Sequence, residues 1–187
     1  MKLTKKHALL ISVVATLMVL CTVAGATLAY LFTKTDSVVN TFSPSNITLE
    51  LDETTGDEYQ MVPGTTIDKN PKVSASADFD YYVFVKIEKS ANFDNFMEYT
   101  VASDWTPLTG VSGVYYKEVA AHTSLNDVSV LAGDKVSVKH TVTKSEMDAL
   151  TSTTYPTLTF TAYAVQQAGL TVAEAWPIAL AQANPTA

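Results

Sequence analysis

The chain has 187 residues, with 12 lysines and no arginine against 19 acidic residues, and it contains one cysteine. Three of the lysines precede residue 30 and all the acids follow it, so residues 30–187 carry ten excess negative charges. Proteins that bind nucleic acids present basic patches to the phosphates. The acidic remainder therefore excludes DNA and RNA as expected partners.

The first 29 residues have the layout of a secretory signal peptide. Lys2, Lys5 and Lys6 precede an uncharged stretch that is most apolar over residues 8–23, and small residues follow at 24–29. A basic, then apolar, then small-residue order is typical of a cleaved export signal. The alternative is a retained membrane helix, since about 20 apolar residues are enough to span a bilayer. Cleavage is expected after either the alanine at position 26 or the alanine at position 29.

The single cysteine belongs to this leader and not to the rest of the chain. Cys21 lies within the apolar stretch, and Leu20 stands before it where a lipoprotein signal has a small residue. We interpret Cys21 as a small hydrophobic residue. Once the leader is removed, no disulfide is possible, and the exported protein must be held together by its core.

The remaining 158 residues suit a single domain, and alternation of apolar and polar side chains predicts that it consists of strands. The strongest alternations are at residues 46–52, 79–88, 135–142 and 156–166, and weaker candidates are 37–42, 59–62, 72–75, 97–102, 114–119 and 127–131. Turn residues such as Pro63-Gly64 separate them. This pattern predicts an all-β fold, a β-sandwich that is jelly-roll-like or immunoglobulin-like, preceded by the hydrophobic signal helix.

Helical signals in the body are few. One short helix is predicted over residues 144–150. A second is predicted to begin at Thr171, because Thr171 and Glu174 have the spacing of a capping box. Proline lacks a backbone N–H and clashes with the preceding turn, so Pro177 is expected to end this helix within two turns.

The sequence contains no recognisable catalytic motif. His122 and His140 are the only histidines after the leader, and no HExxH, GxSxG, GxGxxG or P-loop pattern is present. The alternation places His140 on the same strand face as Val136 and Val138, which predicts a half-buried residue, whereas His122 is expected in a loop. We therefore expect a protein that is not an enzyme and that needs no cofactor.

Two binding chemistries remain as alternatives. Acidic residues at 52–53 and 57–58, and the pair Asp78 and Asp80, could form weak calcium sites, although exposed acidic loops are the commoner meaning of such clusters. Aromatic residues could form a platform that stacks on sugars, although core positions are the commoner role of such residues. The aromatic candidates are Trp105, Tyr115 and Tyr116.

Segments distributed along the chain carry a family resemblance. They are residues 25–36, 40–42, 46–53, 62–64, 67–73, 82–87, 161–166 and 173–176. In this order they resemble the TasA/camelysin-like exported proteins of Gram-positive bacteria, which are processed by a SipW-type signal peptidase. Residues 90–129 carry no motif of that family, and the metalloprotease label of some relatives finds no histidine constellation here.

The resemblance implies a secreted protein cleaved between Ala29 and Tyr30, with residues 30–187 forming one extracellular jelly-roll-like domain. It also implies a subunit of biofilm matrix fibres or surface filaments, with itself and other matrix proteins as partners. Family fibres form when an N-terminal strand of one subunit completes the sheet of the next. Residues 30–42 are the candidate donor strand, with apolar contacts from Leu31, Phe32, Val38, Val39 and Phe42.

Two alternatives to this interpretation stay open. The first is that residues 30–42 are simply the first strand of their own domain and not a donor to the next subunit. The protein as a whole is alternatively a cell-surface module that binds carbohydrate or another protein, tethered to the membrane if the leader is not cleaved.

Overall fold

The computed structural model describes residues 5, 6, 9, 11–16, 18, 46–56 and 58–183. Residues 1–43 and 44–187 form two separate units, and the described residues of the first are helical. Among the described residues, no helix has both the length and the apolar character needed to cross a membrane. The predicted cleavage site at Ala29 and Tyr30, and the predicted strand at 37–42, lie outside the described residues.

Strands dominate the second unit, with three short helices between them. The strands are β1 (Thr48–Asp52), β2 (Thr66–Asp68), β3 (Lys72–Ser76), β4 (Tyr81–Lys89), β5 (Met97–Val101), β6 (Thr106–Pro107), β7 (Val114–Val119), β8 (Ser124–Ser129), β9 (Leu131–Val138) and β10 (Leu158–Gln166). The helices are α1 (Phe93–Phe96), α2 (Lys144–Asp148) and α3 (Val172–Ala183). All strand pairs are antiparallel.

The strands form two layers. Three sheets have the orders β1-β3-β8, β10-β4-β7-β6 and β2-β9-β5. The first and third are two halves of one bent layer, since the chain runs directly from β2 into β3 and from β8 into β9. Hydrogen bonds cross the bend, from the Lys69 N–H to the Asp134 carbonyl (2.8 Å) and from the Val130 N–H to the Pro71 carbonyl (2.9 Å). The predicted all-β sandwich with short helices is confirmed.

The central strand β4 is buried on both faces. Its residues Val83 and Val85 pack towards the bent layer, where they join Val73 in one core cluster. On the opposite face, Phe84 packs under helix α3, with its ring centroid 5.3 Å from that of Trp176. Each such side chain contributes roughly 1.5–3 kcal/mol when fully buried. This explains why β4 reads as a nearly continuous apolar run.

Two strand predictions are wrong. Strand β9 runs over Leu131–Val138, earlier than the predicted 135–142, and the chain then turns, so that His140 is exposed. The alternation appeared to continue because Val142 is buried again after a turn closed by its N–H on the Lys139 carbonyl (3.3 Å). Residues 59–62 form no strand. His122 lies in a turn, as predicted.

Helix α3 begins as predicted and ends later than predicted. The Thr171 N–H and hydroxyl both donate to the Glu174 carboxylate (2.9 and 2.7 Å), which confirms the capping box. Pro177, however, lies inside the helix, which continues to Ala183. Buried Trp176 and Ala179 anchor the helix to the sheet on both sides of the proline, and this packing outweighs the missing hydrogen bond.

Candidate functional site

The outer edge of β10 is the longest sheet edge among the described residues. β10 has nine residues and pairs with β4 over its whole length, from Leu158 opposite Lys89 to Gln166 opposite Tyr81. No strand in the described part of the chain pairs with its other side. The opposite edge of the same sheet is β6, which has two residues and ends in Pro107.

β10 lacks the features that normally protect an edge strand from pairing with another chain. Protected edges carry charges, prolines or bulges, or they are very short. The β10 sequence LTFTAYAVQ has no charge and no proline, and its register with β4 is unbroken. The other long edges differ: β1 carries Glu50 and Asp52, while β5 and β8 each have a register shift. β10 therefore has none of these protections, and β1 of the other layer approaches it without pairing with it.

The side of the sandwich next to β10 is incompletely covered. Apolar side chains from both layers are only partly buried there, although they pack against the same core cluster. They are Leu49 and Leu51 of β1 together with Phe160, Ala162 and Ala164 of β10. A strand added at this edge would remove them from water, which is favourable in proportion to the apolar area buried.

A cavity of about 860 Å³ opens at the Leu158 end of β10. Its floor consists of the buried residues Phe93, Met97 and Val136. Two further methionines, Met61 and Met147, line its walls. Methionine is flexible and polarizable, so it fits its shape to an apolar partner and makes favourable contacts with aromatic rings. The floor and the methionines thus offer apolar contacts, while polar residues such as Glu58 make up part of the lining.

Two charged groups at the cavity pair with each other. The Lys69 ammonium lies 2.7 Å from Glu53, and the Tyr59 hydroxyl donates to the same carboxylate (3.1 Å). The ammonium also lies 5.1 Å from the centre of the Tyr59 ring. Beyond the floor, Tyr99 contacts Phe93, and burial, assisted by Tyr115 and Asp94, raises the pKa of Tyr99 to about 12. Glu58 also lines the cavity, and no ion pair to it is formed within the described residues, so the cavity keeps one negative charge.

The predicted donor strand, residues 30–42, lies outside the described residues, so its pairing stays a prediction. This holds for all five of its apolar residues, Leu31, Phe32, Val38, Val39 and Phe42. Neither the open edge nor the cavity was predicted from the sequence. One signal was present in the sequence, an uncharged run over residues 149–173 that contains all of β10. The cavity is assembled from distant segments and left no such signal.

Three of the acids considered for calcium have other partners. Glu53 pairs with Lys69, and Asp78 lies 3.5 Å from the ring of His122. Asp80 accepts a hydrogen bond from the Ala121 N–H (2.7 Å). Across residues 46–56 and 58–183 and the described leader positions, no three side chains of the metal-ligating types come together. Asp57 lies outside the described residues.

Trp105 does not form the sugar-stacking platform considered above. Its side chain is only 4% exposed and belongs to the core. Its indole N–H donates to the Ser129 carbonyl (2.9 Å), and the Lys117 ammonium lies 5.3 Å from its ring centre. The indole thus joins the two layers, and its faces are not available to a ligand.

No protein-family model, curated protein or solved structure matches this chain. The resemblance to the TasA/camelysin-like proteins therefore stays a prediction from sequence segments. The unprotected edge of β10 and the cavity at its end are the features on which a function can rest.

Proposed function

We propose that this chain is an exported structural subunit of extracellular matrix fibres or surface filaments, and that it assembles by β-strand addition. In this proposal, residues 30–42 of one copy pair with the outer edge of β10 in the next copy. The observation that carries it is the edge itself, nine residues long and without charge, proline or bulge. Backbone hydrogen bonds supply affinity in such additions, and alternate side chains supply specificity.

The energetics favour an apolar donor strand at this position. The half-buried side chains of β1 and β10 offer it apolar surface. Phe32 and Phe42 of the donor would each contribute roughly 1.5–3 kcal/mol if they became fully buried. Residues 30–42 of the same chain compete for the edge, as in any domain-swapping protein. Filaments form when pairing between copies is more favourable than pairing within one chain.

A single charge on the edge tests this function. Thr159 is exposed on β10, and a lysine there should block strand addition as natural edge lysines do. We expect negative-stain microscopy of the exported Thr159→Lys protein to show monomers where the unchanged protein shows filaments. Thr153→Lys is the matched control, because Thr153 is exposed, lies outside the strand and gives the same change in net charge.

Deletion of residues 30–42 gives a second test of the same pairing. We expect soluble monomers with an unchanged circular dichroism spectrum, since the sandwich has its own core. Mass spectrometry of the exported species shows whether the chain starts at Tyr30. Unchanged protein that stays monomeric at every salt concentration and pH would contradict the proposal, and so would filaments of Thr159→Lys.

A further inference from the structure

We infer, as an extension of the proposed strand addition, that the cavity at the end of β10 receives Phe42 of the neighbouring copy. The donor strand then runs antiparallel to β10, and the subunits join head to tail. The positions of the two ends of β10 and the length of the linker at residues 43–47 support this arrangement.

The cavity and the start of β1 lie at opposite ends of the sandwich. Leu158 borders the cavity and begins β10. β10 ends at Gln166, which pairs with Tyr81 at the start of β4. β1 begins at Thr48 opposite Ser76, the last residue of β3 before the short connection to β4. We call the end with Thr48 and Gln166 the start end, and the end with Leu158 the cavity end. The nine residues of β10, roughly 26 Å at 3.3 Å per step, separate the two.

A short linker ties the donor to the start end of its own domain. Only residues 43–47 lie between Phe42 and Thr48. A fully extended chain gains at most about 3.3–3.6 Å per residue, so Phe42 lies within roughly 20 Å of its own Thr48. This is less than the length of β10. The acceptor end that holds Phe42 must therefore face the start end of the donor's domain.

The direction of the donor decides between a closed dimer and a filament. A donor parallel to β10 would place Phe42 at the acceptor's start end, so that two start ends meet. Each copy would then offer its donor to the other, and the reciprocal exchange would close a dimer. An antiparallel donor places Phe42 at the cavity end, and the start end of one copy meets the cavity end of the next. Only this head-to-tail contact repeats without closing.

The lengths and the chemistry agree with this direction. With residues 32–40 paired along the nine residues of β10, Phe42 would extend two residues beyond Leu158, towards the cavity. In an extended strand, Val38 would lie on the same face as Phe42, and so would Lys34 and Asp36, whose opposite charges balance. The cavity offers an aromatic side chain three methionines, Met61, Met97 and Met147, and its one lysine, Lys69, is paired with Glu53.

Photo-crosslinking of the full exported protein tests the direction directly. Phe42 is replaced by benzoylphenylalanine, filaments are irradiated, and the adducts are located by mass spectrometry. We expect adducts on residues that line the cavity, such as Met61 and Met147. Leu31 carrying the same group is the matched control, and its adducts are expected near Gln166. Adducts of position 42 near Gln166 would overturn the inference.

The same inference predicts a strong dependence of assembly on the Phe42 ring. Removal of a buried phenylalanine ring should raise the critical concentration of Phe42→Ala on the order of 100-fold. Ser37→Ala in the same segment should change it less than about twofold. Filaments that are indifferent to Phe42→Ala would overturn the inference while leaving strand addition intact. Failure of the unchanged protein to form filaments would remove both.

Discussion

At the scale of single residues, Tyr81 illustrates how the core is held in register. Its side chain is fully buried, and its hydroxyl lies 3.0 Å from the carbonyl oxygens of both Ala75 and Thr123. Burial raises the pKa of Tyr81, so the hydroxyl stays protonated and able to donate. One side chain thus links β4 to β3 and to the turn before β8.

Removal of this hydroxyl is expected to destabilise the domain. Tyr81→Phe keeps the ring but leaves buried carbonyl oxygens without a donor, which costs about 1–3 kcal/mol. Urea unfolding followed by circular dichroism measures the loss. Tyr155→Phe is the control, because Tyr155 is 55% exposed and its change should stay within about 0.5 kcal/mol. Equal stabilities of the two variants would contradict this assignment.

Trp105 and His140 show where residue-level predictions succeed and fail. The sequence indicated that a core or rim position is the commoner role of a tryptophan such as Trp105, and the structure places it in the core. His140 was misplaced because alternation is a local signal, and it does not show that a strand ends in a turn between Val138 and Val142. Which residues close a cavity depends on tertiary packing, so no local pattern revealed it.

At the scale of the elements, two helices have the same N-terminal capping motif. Thr143 and Glu146 form a capping box on α2, as Thr171 and Glu174 do on α3. Hydrogen bonds from Thr143 lower the pKa of Glu146, chiefly through its backbone N–H. Hydrogen bonds from Thr171 lower the pKa of Glu174, chiefly through its hydroxyl.

These caps give the domain a defined dependence on acid. A carboxylate whose folded pKa is below its unfolded pKa contributes stability that is present above the unfolded value. That value is 4.5 for both glutamates, and the contribution is lost as the pH falls through the lower folded values. We expect Glu174→Gln to flatten the decline in Tm below pH 4.5. Glu118→Gln, away from any helix, should leave the decline unchanged.

The interior proline of α3 is expected to destabilise the helix, because it cannot donate a backbone hydrogen bond. Pro177 is exposed, so an alanine there can restore the helical hydrogen bond without disturbing the core. We expect Pro177→Ala to stabilise the domain by about 1–3 kcal/mol. Thermal unfolding measures the gain, and Ile178→Ala at the neighbouring exposed position is the control. A lower Tm for Pro177→Ala would show that the proline ring itself packs favourably.

The strands that could be predicted have either a regular alternation or several β-branched and aromatic residues close together. β7 was predicted with its observed bounds, Val114–Val119, because its two valines and two tyrosines have strong β-propensity. β2 and β6 have three and two residues, too few for a period to be recognised. Helix α3 exceeded its prediction because tertiary contacts of Trp176 overrode the local preference of Pro177.

At the scale of the whole molecule, net charge opposes the proposed assembly. After cleavage at the predicted site, residues 30–187 carry ten excess negative charges and no arginine. Such self-repulsion keeps subunits apart in solution. Added salt screens the repulsion, since the Debye length falls from roughly 10 Å at 0.1 M to 3 Å at 1 M.

Filament formation should therefore respond to salt and to acid in the same direction. Raising the ionic strength, or lowering the pH towards the pKa values of the carboxylates, should lower the critical concentration. Light scattering across a series of salt concentrations and pH values measures this. Thr153→Lys, which adds a positive charge away from the edge, should shift the curve in the same direction as salt. A critical concentration that changes with neither salt nor pH would contradict this prediction and show that charge repulsion does not limit strand pairing.

The unbroken pairing of β10 with β4 has a mechanical consequence. In a head-to-tail filament the donor, β10 and β4 lie side by side, and β4 is the centre of the core. Tension along the filament then pulls neighbouring strands past one another, so that all the hydrogen bonds between a pair are loaded together instead of opening one by one. In the proposed filament, an uncharged, proline-free edge strand joined to the most buried strand of the sandwich would thus be the route by which a subunit without disulfides transmits force.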